Sequence, residues 1–349
     1  MEEFPAAQLL LAGPRGRELC LDLARSLARE QQTFACGSSA VLPRGIGEEA
    51  KKVLQVLGAV PQRPEITVAQ VLQSLDRVVK GASYWQPPSD SARVLAEPEV
   101  RDLLLPVAVA VVRARPQWWL APGALTQYYV QWIASTTIPG TGPPTLAGSA
   151  AGLQRWRDSI RAEEGNTPLV ATWTGRWWSV PALSDVPVTT PAIPGNGPAG
   201  LRMVEDPLPW AMARTYPLRA VEGARIYEIR EARSWQALVS AYPLDVTRSR
   251  GRSWAVSSGN AEADTWFWAI PDWEAVSRDY DGVHLSVAGY LRTAGSVLDA
   301  AGMKTMLAGW APAETWWLND VLVPAGDPVD WTATPDHHGW QVQAAAVSS

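Results

Sequence analysis

Histidine, cysteine and phenylalanine are nearly missing from this chain of 349 residues, with three, two and three copies. So few histidines leave little room for histidine-centred catalysis. His337 and His338 follow Asp336 near the end of the chain, a spacing seen in adventitious metal binding but without the further ligands of a tetrahedral site. His284, in Tyr280-Asp281-Gly282-Val283-His284-Leu285-Ser286, reads first as a strand residue and second as a general base. No metal is expected. Cys20 and Cys36 form neither a disulfide framework nor a metal quartet, and they read as reduced thiols.

Long apolar runs are also missing. The most apolar stretch, Leu103 to Val112, is interrupted by Pro106 and falls short of the roughly 20 residues that cross a bilayer. Glu2 and Glu3 stand where a secretory signal carries positive charge. A soluble, cytoplasmic chain with no membrane partner is therefore expected. Neither sign of charge dominates, with 30 basic against 35 acidic residues, which argues against duplex DNA as a partner. Arg248, Arg250 and Arg252 leave room for a local basic patch. There is no Gly-x-Ser-x-Gly elbow. The turn Gly13-Pro14-Arg15-Gly16 lacks the lysine and Ser/Thr of a P-loop and reads as a simple helix start, although its amides are of a kind that holds anions. Glu163-Glu164 reads as a solvated helix end.

Against these absences stand 19 tryptophans. Tryptophan brings large apolar area and one donor, so it serves as core wedge, interface anchor or stacking platform. A bacterial-like, GC-rich codon usage accounts for part of the excess. That many exposed tryptophans would make an insoluble protein, so a core role is expected for most.

The N-terminal half reads as helices. Leu19, Leu23 and Leu27 form one stripe within 17–30. Thr67 with Gln70 three residues later, the stripe Val68, Val71, Leu72, Leu75, Val79, and Gly81 beyond it predict a capped helix over 67–80. Further helices are expected at 48–57, 99–113, 123–134 and 149–163. Trp173, Trp177 and Trp178 around Thr174-Gly175 suggest a hairpin over 169–180, and the Pro/Gly-rich stretch 184–200 a connection. Strands are expected at 224–229, 253–257, 282–290, 303–310 and 315–323, with helices at 231–242 and 272–280. The fold class is α+β: a helical domain over 1–165, a hairpin and connection over 166–200, a tryptophan-rich mixed domain over 201–323, and a mobile tail over 324–349.

Arg225-Ile226-Tyr227, then Trp254-Ala255-Val256-Ser257-Ser258, then Glu314 before a tryptophan-rich strand, follow one another in an order that resembles the arginine, Ser-Thr-Ser and glutamate elements of the ADP-ribosyltransferase superfamily. The resemblance is confined to 220–323. It implies NAD as substrate, held by Arg225 with Tyr227 stacking on nicotinamide, Ser257 supporting the site, and Glu314 stabilising the oxocarbenium-like ribose. Elementary chemistry agrees: a guanidinium forks onto phosphate oxygens, and a carboxylate stabilises positive charge developing in the transition state. The serine strand lacks the central threonine, and Pro312 stands two before Glu314 where arginine-modifying members carry Glu or Gln. A target other than arginine, a protein or a small molecule, or no transferase activity at all, follows. The rival reading is a non-enzymatic binding protein that uses a tryptophan-rich surface.

Overall fold

The computed structural model describes residues 3–32, 47–114, 116–123, 125–168, 175–260, 262–334 and 339–343. Cys36, Trp173, His337 and His338 lie outside them. Six helices open the chain: α1 (Glu3–Ala12), α2 (Pro14–Gln32), α3 (Glu48–Gly58), α4 (Val68–Lys80), α5 (Asp90–Ala96) and α6 (Pro98–Ala114). Helix α4 shows why its sequence signal was strong. Thr67 Oγ1 accepts from the Gln70 amide (3.2 Å) and Gln70 Oε1 accepts from the Thr67 amide (2.9 Å), which closes the capping box. Val71, Leu72, Leu75 and Val79 are buried as expected; Val68, expected with them, is exposed. Thr67→Ala should cost about 1 kcal/mol, the usual worth of such a cap, read as a lower urea midpoint with an unchanged slope.

The chain continues through β1 (Thr126–Trp132) and α7 (Ser149–Asn166), then β2 (Val188–Thr189), β3 (Ala192–Ile193), β4 (Gly197–Pro198), β5 (Met212–Ala220) and β6 (Ile226–Ile229). The helix expected over 123–134 is thus a strand, because β1 pairs antiparallel with β5 along its whole length, from Thr126↔Arg219 to Trp132↔Ala213. Aromatic and β-branched residues favour that pleated environment. Next come α8 (Ala232–Ala241), β7 (Pro243–Asp245), α9 (Thr247–Ser258), β8 (Ala269–Pro271), α10 (Trp273–Val276), β9 (Gly282–Leu285), α11 (Val287–Thr293), β10 (Val297–Ala300), β11 (Met303–Met306) and β12 (Thr315–Trp317). The strand expected at 253–257 is the second half of α9. That helix ends at Gly259 in the left-handed region (φ 66°) and receives Glu164 on the amides of Arg248 (2.9 Å) and Ser249 (2.8 Å) at its start. A three-residue apolar run cannot tell helix from strand by periodicity. Residues 175–180 of the expected hairpin carry no strand.

β13 (Leu322–Pro324), β14 (Val329–Ala333) and β15 (Trp340–Val342) complete the chain. They overturn the mobile tail over these residues: β13 and β14 both pair with β5, and β15 pairs with β14. The fold is α+β, with one sheet ordered β1-β5-β14-β15 and a second ordered β2-β12-β9-β6, in which β6 and β9 run parallel. A buried polar relay ties the two together. Trp317 Nε1 donates to Thr189 Oγ1, which donates to Gln127 Oε1, each at 2.7 Å.

A single buried cluster reaches from Ala7 to Leu318 and takes in side chains from before and after 166–200. Gly13 marks one contact across it. A Cβ there would lie 2.1 Å from the Leu291 carbonyl oxygen, so α1, α2 and α11 meet at a corner that only glycine fits. Trp119, Trp156, Trp235, Trp254, Trp268, Trp273, Trp310, Trp316 and Trp317 are buried, and no other described tryptophan reaches the exposed class. Core is therefore the main use of the tryptophan excess. Two of the three arginines of the expected basic patch are committed elsewhere: Arg250 is buried against Glu163 (2.7 Å), and Arg252 pairs with Asp264, while Arg248 is exposed. Glu163 and Glu164, expected as solvated, are the acids that join α7 to α9. No helix among the described residues is long and apolar enough to cross a membrane.

Candidate active site around Glu205 and Glu314

Glu314 sits in the turn between β11 and β12, preceded by Ala313, whose φ is 65°. Glu205 sits in the turn after Leu201, followed by Asp206, whose φ is 46°. Among the described non-glycine residues a left-handed backbone occurs at these two positions and at Ala301 alone. For alanine and aspartate it costs of order 1 kcal/mol or more, and such strain collects at functional sites. The Ala313 turn is pinned to the sheet end, since Ala313 donates to the Leu285 carbonyl (2.8 Å) and Leu285 donates to the Glu314 carbonyl (3.0 Å).

Three further elements bring polar groups to the same place. Tyr84, just beyond α4, donates from Oη to Glu205 Oε1 at 2.7 Å. Arg15, in the first turn of α2, lies with Cζ 4.9 Å from the Tyr84 ring centre and donates to Glu18 Oε2 at 2.7 Å. Tyr290 comes from α11, whose start is capped by Ser286 Oγ accepting from the Gly289 amide (3.0 Å). Arg15, Tyr84 and Tyr290 are buried, and Glu205 and Glu314 are half-buried as residues, with Glu205 Oε1 taken by Tyr84. Aromatic rings flank it. Trp177 packs on Tyr84 (5.9 Å between centres) and Trp85 (4.8 Å), Trp178 lies against Gly309, and Trp310 meets Trp316 edge-on (6.3 Å).

Burial, and then the charge of Glu205, push the Glu314 carboxyl up to about 8, against the pull of the Ala311 amide (3.2 Å) and the Trp316 indole. Glu205 is raised too, by burial, although Tyr84, Arg15, Tyr290 and the Trp310 amide favour its charge. Burial works against the Arg15 charge, but the acidic groups around it hold its pKa well above the ordinary value. At neutral pH Glu314, pushed up to about 8, is therefore mostly protonated. Arg15 Nε, Glu205 Oε2, Tyr290 Oη and Trp316 Nε1 are enclosed without a well-formed hydrogen bond among the described residues, although Tyr290 and Trp316 lie close enough to the carboxyls to favour their charge. Buried polar atoms are almost always paired in proteins. Poorly satisfied enclosed polar atoms at two raised carboxyls mark a place suited to chemistry or to a polar ligand.

Of the four residues of the family pattern, Glu314 alone lies here. Arg225, exposed, donates to Asp281 through its amide (2.8 Å) and its guanidinium (3.2 Å). The ladder places Arg225 level with Asp281 and Glu314 level with Leu285, four residues apart or about 13 Å. Tyr227 donates to the Ser234 carbonyl (2.7 Å) and meets Tyr280 edge-on. Ser257 is helical and its hydroxyl returns to the Ser253 carbonyl (3.1 Å). His284 is a fully buried strand residue. Burial drives its pKa down to about 4 and its Nδ1 lies 3.0 Å from Thr315 Oγ1, so the general-base alternative has no accessible nitrogen to use. Arg15, Tyr84, Glu205 and Tyr290 span 276 positions with no recurring spacing; the Gly13-Pro14-Arg15-Gly16 turn was the one sequence signal near them. No group of three or more potential metal ligands occurs among the described residues. No protein-family model matches the sequence, and neither the curated proteins nor the solved structures include a match to it.

Proposed function

We propose that the Glu205–Glu314 site breaks the N-glycosidic bond of NAD and passes the ADP-ribosyl group to an acceptor. The observation that carries this reading is a pair of half-buried, electrostatically linked carboxyls among aromatic rings, with a buried arginine alongside. A flat cationic ring such as nicotinamide suits aromatic walls and a shared negative charge, and its arrival favours ionisation of Glu314. The C1′–N bond then breaks with its electron pair leaving on nicotinamide. The acceptor's lone pair forms the new bond at C1′ and its proton passes to the carboxyl pair. Ionised Glu314 stabilises the positive charge on the ribose, while Arg15 offers its guanidinium to the phosphate side. In this reading Arg225 and Ser257, the residues of the family pattern, leave those roles to Arg15 and Tyr84.

Titration with millimolar NAD should raise Tm and quench tryptophan fluorescence, and Arg15→Ala should weaken binding by about tenfold or more, the cost of one charge-assisted contact. No response of either signal to NAD would remove the reading.

One surface feature supports the non-enzymatic reading instead. Trp132 and Trp210 stack at 4.6 Å and 11°, with Trp340 5.5 Å from Trp132, all half-buried beside exposed Met212 and Val342. A binding partner lost on Trp132→Ala, from a protein inert to NAD, would favour it.

A further inference from the structure

We propose that the cavity between α2, α4 and α5 is a second ligand site, for a small zwitterion of the aliphatic amino-acid type, and that it communicates with the carboxyl pair through Glu18. The cavity holds about 250 Å³, below the roughly 300–1,000 Å³ of sites for drug-sized ligands, so its occupant is a small metabolite. Leu21, Val78 and Leu95 give it an apolar lining, and Glu18, Asp22, Arg25 and Arg77 give it two charges of each sign. A ligand of one sign would meet repulsion from half of that lining; one carrying both signs matches all of it.

The hydrogen-bond inventory assigns the two ends. Arg77 spends Nε and Nη2 on Asp22 and Ser74, and no bond engages its Nη1 among the described residues. Arg25 reaches Glu49 only at 3.8 Å, and Ser91 Oγ is enclosed without a partner. These donors suit a carboxylate. Glu18 and Asp22 are the acceptors for an ammonium. Glu18 is also the partner of Arg15, whose guanidinium lies over Tyr84, and Tyr84 donates to Glu205. An ammonium at Glu18 competes with Arg15 for that carboxylate, leaving the arginine's charge more available to Glu205 and so lowering the penalty on ionising Glu314. This coupling rests on the reading of the carboxyl pair as the working site; binding in the cavity does not.

Calorimetry on the full chain with L-leucine, 4-methylpentanoate, which lacks the ammonium, and 3-methylbutylamine, which lacks the carboxylate, tests the site. Saturable leucine binding is expected, with each analogue weaker by about tenfold or more. Arg25→Ala, at an exposed position, should weaken leucine similarly without moving Tm. Absence of leucine binding at millimolar concentration, equal binding of all three compounds, or indifference to Arg25→Ala would each overturn the proposal. The coupling is read separately, without NAD. Tryptophan fluorescence should titrate with a midpoint near pH 8 set by Glu314 beside Trp316, the transition should vanish in Glu314→Gln, and leucine should lower the midpoint in the wild type but not in Glu18→Gln. Leucine binding with a fixed midpoint would retain the site and overturn its link to the carboxyl pair, while NAD binding would bear only on the enzyme reading.

Discussion

Glu314→Gln is expected to remove most NAD-dependent turnover and, at the same time, to stabilise the protein above pH 8. The two effects have one cause. A free glutamate ionises near pH 4.3, whereas burial and the Glu205 charge hold Glu314 protonated up to about 8. Between those values the folded state binds a proton that the unfolded state has lost, so this contribution to stability is full below about 4.3 and disappears as pH rises through 8. At 1.36 kcal/mol per unit the ideal linkage is on the order of several kcal/mol, and partial exposure of the side chain reduces it. Glutamine keeps the shape and the acceptor for the Ala311 amide but carries no charge. The Tm of variant and wild type should therefore be close near pH 5 and diverge by pH 8, with the variant higher. His284 slopes the other way. Its pKa is depressed to about 4, so its contribution is present above about 6.5 and lost as pH falls through 4; it is common to both proteins and cancels in the difference. For turnover, losing a group that acts on developing charge typically costs about 100-fold or more. Ground-state NAD binding should change much less. Parallel Tm–pH profiles for the two proteins would show that Glu314 is ionised in the folded state and would remove the basis of the assignment.

The contrast between α4 and β1 shows what made parts of this fold legible. Helix α4 carries its own start signal, its own stop at Gly81 and an apolar stripe that faces one core, so local and tertiary preferences agree. β1 has none of these. Its state is decided by β5, more than 80 residues later, and by β2, which Tyr128 bridges through Thr190. The same holds for α9, whose start is capped by a carboxylate of α7 rather than by a residue of its own. The site divides in the same way. Glu314 stands out in sequence because a glutamate precedes a tryptophan-rich strand, but its partners come from the first turn of α2, the loop after α4, a Pro-flanked turn and α11. Each is ordinary in its own stretch: Tyr84 reads as one more aromatic and Glu205 as one more loop acid. Only the fold adds the left-handed neighbours Asp206 and Ala313 and brings the enclosed Tyr290 hydroxyl to Glu205.

Glu163→Gln should destabilise the protein by about 3 kcal/mol or more, the usual cost of leaving a buried charge without its partner. Arg250 is 1 % exposed, and burial already lowers its pKa. Glu163 answers that penalty with a contact of 2.7 Å, while the Ser249 hydroxyl and the Trp178 carbonyl (3.4 Å) supply neutral acceptors only. Arg176 also reaches Glu163 (3.0 Å), so the substitution strips one acid from two guanidiniums. Removing the second charge as well tests whether the orphaned Arg250 is the cause: Glu163→Gln with Arg250→Met should recover much of the loss, since the buried cation that lost its counter-charge is then gone. The consequence reaches the carboxyl pair. Arg250 lies 5.8 Å from the Trp178 ring centre, and Trp178 packs against Gly309 beside Trp310. The single variant should therefore weaken NAD binding at temperatures where it is still folded, and the double variant should restore the urea midpoint more completely than the affinity, because methionine fills the space over Trp178 without the cation. Chemical denaturation of the single and double variants, with NAD titrations at a temperature well below both transitions, separates the two effects. A single variant as stable as the wild type would mean that Glu164 and the neutral acceptors suffice to hold Arg250 without Glu163.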